Sequence, residues 1–154
     1  MRHKKFSIGD LIIRPLNFIE KMHRWLHGYG WNSCALCIID KVDLFEKGIR
    51  VMELLMAEDG HFRIWQYQYT HKDQDVLINH SSAYSTYQRK KLVQRLYELE
   101  NIINISEIKL NILTKNALFN RIPASKVLMY AIAELFKEPI QNFYVITPLL
   151  DKDK

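Results

Sequence analysis

Apolar residues recur along the chain with two different periods, and the change of period divides it into elements. After Asn17, the residues Phe18, Met22, Trp25 and Leu26 fall at helical spacing. Asn17 with Glu20 three positions on is a capping-box pattern, which starts a helix there; Gly28 and Gly30 close it. Before it, FSIGDLIIR at 6–14 reads as a strand that Pro15 ends. From Trp31 onward, SCALCIIDKVDLF and GIRVMELLMAE are apolar runs rich in Ile, Val and Leu, best read as strands. Asp59-Gly60 signals a tight hairpin into HFRIWQYQY, HKDQD at 71–75 is a turn, and VLINH returns as a further strand.

Beyond residue 84 the period becomes helical. Ser85 and Gln88 form a second capping box, and Leu92, Val93, Leu96, Leu99 and Ile103 make a stripe suited to burial. EIKLNIL at 107–113 reads as a strand. ASKVLMYAIAELFK at 124–137 reads as an apolar helix packed on the sheet and stopped before Pro139, and NFYVITPLL as a last strand. The expected order is β-α-β-β-β-β-α-β-α-β. This is an α+β fold with a mixed, mainly antiparallel sheet flanked by about three helices. With no repeat or linker, residues 1–154 read as one domain.

Composition narrows the class. A hydrophobic fraction of 48% and an aromatic fraction of 12% fit a packed globule. No apolar run reaches the ~20 residues that cross a bilayer, and no long apolar segment follows the basic N-terminus. Two cysteines make no disulfide framework, so a reducing cytoplasmic setting is expected. The net charge of +5 favours anionic partners: a phosphorylated ligand, an acidic protein or, less readily, nucleic acid. Arg89, Lys90, Lys91 and Arg95 crowd the first turns of the helix at 85–100, next to the positive end of its dipole, and so invite an anion.

The element order and three local motifs resemble the GNAT superfamily of N-acetyltransferases. DLIIRPLNFIEKMHRWL at 10–26 is similar to the strand and helix that open those enzymes. AYSTYQRKKLVQRLYELE at 83–100 stands at the place of the acyl-CoA loop and helix. IKLNILTKN at 108–116 stands at the next strand, whose end commonly carries an asparagine. The resemblance implies an acyl donor, acyl-CoA or acyl carrier protein, held by Gln88, Arg89, Lys90, Lys91 and Asn116, and an amine acceptor, with His80 or His23 as general base. Lys91 and Val93 stand where the family has glycine and glycine or alanine, and Phe119 is nearest to its acidic tyrosine. The bacterial toxin-activating lysine acyltransferases, a GNAT-like branch without the glycine loop, use an early histidine, and His23 matches that placement.

Other constellations point elsewhere. Cys34 and Cys37 with His23 and His27 supply four ligand types, but cysteines three apart on a strand face opposite sides, so packed thiols and no metal are expected. Trp65, Tyr67 and Tyr69 share one strand face and could stack bases, although cross-strand packing is the commoner use. Asp40, Asp43 and Glu53 lie on strands and could act as bases. Walker, HExxH and GxSxG motifs are absent. The functional expectation is a divergent acyltransferase. The alternative is a noncatalytic α+β docking or regulatory module that binds an acidic protein or nucleic acid through helix 86–100.

Overall fold

A computed structural model of the chain describes residues 6–43, 48–80, 83–109, 117–136 and 145–146. Its elements are β1 (Leu11–Pro15), α1 (Phe18–Leu26), β2 (Cys34–Asp43), β3 (Gly48–Met56), β4 (Phe62–Gln68), β5 (Val76–Ile78), α2 (Thr86–Leu99), α3 (Ala117–Arg121), α4 (Ser125–Phe136) and β6 (Val145–Ile146). The strands form one sheet in the order β4-β3-β2-β1-β5-β6. All pairings among the described strands are antiparallel. The fold is α+β, and β1 lies inside the sheet between β2 and β5.

The local signals that start each element act as the sequence suggests. At α1 the Asn17 side chain accepts from the Glu20 amide at 2.8 Å, and Glu20 accepts from the Asn17 amide at 3.0 Å. At α2, Ser85 and Gln88 make the same exchange at 3.2 and 2.9 Å. The loop between β3 and β4 turns at Gly60, whose φ of +93° suits a residue without a side chain.

One side of the sheet carries the main core. Leu11, Ile13, Leu36, Ile38, Met52 and Phe62 meet Leu92 and Leu96 of α2 and Val127, Leu128 and Ile132 of α4. The helix expected at 124–137 therefore packs on the sheet, as its apolar circumference suggested. Arg95 of α2 ties it to α4 through a two-pronged pair with Glu134, at 2.8 and 3.0 Å. The other side holds a smaller cluster, Ile12, Cys37, Ile39, Val51 and Leu77, with Tyr67 and Tyr69 against it.

Beyond α2 the chain turns back along the outer strand. Asn101, with φ +65°, donates to Phe62 O at 2.9 Å; Phe62 donates to Ile103 O at 3.1 Å, and the Ile64 amide donates to the Glu100 carboxylate at 2.8 Å. Where a strand was expected at 107–113, Ile105–Glu107 form a single 3₁₀ turn and Ile108 and Lys109 stand outside any strand. Asn104 caps that turn by accepting from the Ser106 amide at 3.0 Å, a local bond that competes with extended pairing. Residues 110–113, Asn116 and most of the last expected strand lie outside the described residues.

Candidate functional site

The feature that most departs from an ordinary globular surface is α1. An amphipathic helix normally turns its apolar stripe to the core; this one turns it outward. Phe18, Ile19, Trp25 and Leu26 are 64, 70, 52 and 66% exposed, and Trp31 beyond the helix is 50% exposed. Phe18 and Trp31 meet edge to face at 5.6 Å, so the helix and the loop after it present one continuous aromatic ridge.

The cause lies on the polar side. Arg24, almost fully buried, grips the buried Glu53 of β3 with two bonds of 2.6 and 2.7 Å and stacks over Trp65 at 5.2 Å. Tyr67 donates to the same carboxylate at 2.6 Å. Arg14 of β1 donates to Tyr67 at 2.8 Å and to Glu20 of α1 at 2.8 Å. A buried carboxylate and two buried guanidiniums satisfy one another only while Glu20 and Arg24 point at the sheet. That requirement fixes the helix's rotation and leaves the apolar stripe outside.

The two rims of the ridge differ. On one, Lys21 and the exposed Arg121 both offset the rise that burial gives the Cys34 thiol, and Arg121 lines one small cavity with Trp31 and Cys34. On the other, the His23 and His27 rings lie 4.4 Å apart and pack against Trp65 at 5.4 and 5.8 Å. His27 Nδ1 is bonded to His23 O at 2.8 Å. A shallow cleft of about 480 Å³ opens beyond this rim, lined by Arg14, His23, Trp65, Tyr67 and Lys72.

The residues singled out for acyl transfer are not brought together. His80 is fully buried; its amide donates to Asp10 at 2.8 Å, and burial holds its imidazole down to about 3 in spite of a Gly9 backbone bond. It is a neutral interior group. Arg89 is also buried, donating to Ile8 O at 2.7 Å, Tyr84 O at 3.1 Å and Thr86 Oγ1 at 3.1 Å, with its stem against Gly9. Arg95 is paired with Glu134 and Glu98. Gln88 serves the capping box. Lys90 and Lys91 are exposed, Lys91 over the Tyr87 ring at 5.3 Å. Asn116 falls outside the described residues, and Phe119 is fully buried.

The remaining candidates have structural partners too. Asp40 takes Arg50 at 2.9 Å and the Tyr97 hydroxyl, Glu53 takes Arg24, and Trp65 is enclosed by His23, His27 and Tyr29. Cys37 is buried on the smaller-cluster side and Cys34 packs on the main-core side. Burial first, and Glu53 second, push the Cys37 thiol up to about 12, so it is no nucleophile at neutral pH. Sequence reasoning passed over Arg14, Arg24 and the outward direction of α1. One clue was present: Glu53 interrupts the apolar run VMELLM and needs a buried cation. Among the described residues, no helix is long and apolar enough to cross a membrane. Comparison with protein-family models, with curated proteins and with solved structures found no match to this chain.

Proposed function

We propose that this chain is a noncatalytic docking module whose working surface is the outer face of α1. The observation that carries this reading is the locked inversion of that helix: four large apolar side chains more than half exposed, on an element whose polar side is tied into the fold. Contiguous exposed apolar surface of this kind marks interaction sites. Burial of the polar pair would be a costly way to present an apolar face that had nothing to meet. The surface differs from the basic helix expected at 86–100, because Arg89 of that helix is buried and Arg95 is paired with Glu134 and Glu98 of the same chain.

The test is stability against exposure. Ile19→Asp/Leu26→Asp should shift unfolding free energy by no more than about 1 kcal/mol, the range of surface substitutions. It should also abolish binding of a hydrophobic dye to the folded protein. A loss of several kcal/mol in urea unfolding would make the face part of the core and end this reading.

A second reading, acyl transfer in the manner of the GNAT superfamily, draws on the order of elements through α2 and on the exposed Lys90 and Lys91 at its first turns. It requires that acetyl-CoA or a long-chain acyl-CoA raise the melting temperature and that Lys90→Ala/Lys91→Ala remove the shift. No shift with either donor would leave acyl carrier protein as the donor to try.

A further inference from the structure

We infer that the partner seated on the α1 face is an anionic lipid surface, which the helix enters from the side without crossing it. This deepens the docking reading and rests on it. Three observations select the occupant. The face carries large apolar side chains that are each 50–70% exposed along the helix and the loop after it. Its members are two tryptophans and a phenylalanine with Ile19 and Leu26, side chains suited to the boundary between headgroups and acyl chains.

The third observation is charge. Lys21, one helical turn from Phe18 and from Trp25, and Arg121, lining a cavity with Trp31, are cations on one rim. The one carboxylate of α1, Glu20, is turned to the sheet and holds Arg14. A second copy of the chain would bring another molecule of net charge +5 to this face. Anionic headgroups would meet Lys21 and Arg121 favourably. The polar side of α1 needs no lipid, since it is satisfied by the sheet.

The experiment is sedimentation of the full chain with large vesicles, either pure phosphatidylcholine or phosphatidylcholine with 30 mol% phosphatidylglycerol (roughly the anionic content of a charged leaflet). Tryptophan emission is read in parallel. Binding to the anionic vesicles with a blue-shifted emission is expected, and raised salt should weaken it. Lys21→Ala/Arg121→Ala should weaken that binding by roughly 30-fold, at about fivefold per cation. Ile19→Asp/Leu26→Asp should remove it.

Failure to bind either vesicle at low salt, or binding that survives the aspartate pair, overturns the lipid assignment. If the wild type then dimerises or captures an acidic helical peptide in a manner the aspartate pair abolishes, the docking face stands with a different occupant. If the aspartate pair unfolds the protein, the lipid assignment and the docking reading fall together.

Discussion

Glu53 sits in the middle of an apolar strand, 1% exposed, and accepts three hydrogen bonds from Arg24 and Tyr67. Replacing it by glutamine would leave the Arg24 guanidinium buried without its counter-charge. Removal of one partner of a buried pair typically costs about 3–5 kcal/mol. Glu53→Gln should therefore be among the more damaging single substitutions in the chain, measurable as a lowered urea midpoint with an unchanged slope. His80 gives a second expectation at this scale. In the fold its imidazole titrates near 3; in the unfolded chain it titrates near 6.5. Below 6.5 the unfolded chain takes up a proton that the folded chain refuses. The His80 contribution to stability is thus complete above 6.5, declines as the pH falls, and levels off below about 3. The slope is on the order of 1 kcal/mol per pH unit. His80→Gln should flatten that part of the stability–pH profile, whatever it does to stability at neutral pH.

At the scale of elements, what could be read from the sequence was what is local. Both capping boxes, the 3.6-residue stripes and the turn at Gly60 involve residues three or four apart, and each names its own element. The orientation of α1 could not be read that way. A stripe at helical spacing says that two sides differ; which side meets the sheet is decided by Arg24 and Glu53, 29 positions apart. The same holds in part for Arg89, which looked like a cation awaiting an anion: Tyr84 O and Thr86 Oγ1 are local acceptors, but Ile8 O, its shortest bond, lies 81 positions away. The strand expected at 107–113 failed at its start for a local reason, the cap supplied by Asn104, which an apolar pattern does not weigh. The exposure test belongs at this scale as well: with Ile19→Asp and Leu26→Asp in place, α1 should keep its helix, because Arg24 and Glu20 hold it from beneath.

For the whole molecule, placing β1 inside the sheet has a consequence for the surface. With β2 and β5 as its neighbours, β1 brings Arg14 beneath α1 and next to Tyr67, so the strand order assembles the network that turns the helix over. The net charge of +5 belongs to the whole chain, and the apolar ridge to α1. The salt dependence of vesicle binding is the measurement that reads the two together: the charge should set the approach and the ridge the depth.

Strand β4 ends the sheet, and such a margin is a template on which further chains can add. Here the first outward positions are already taken: the returning segment satisfies Phe62 through Asn101 and Ile103, and Glu100 covers the Ile64 amide. A molecule with an exposed aromatic ridge will be held at high local density wherever that ridge docks, which is the condition under which open sheet margins polymerise. If the ridge docks as proposed, the segment after α2 would act as a selvage over Phe62 and Ile64, opposing the addition of a further copy at that part of β4.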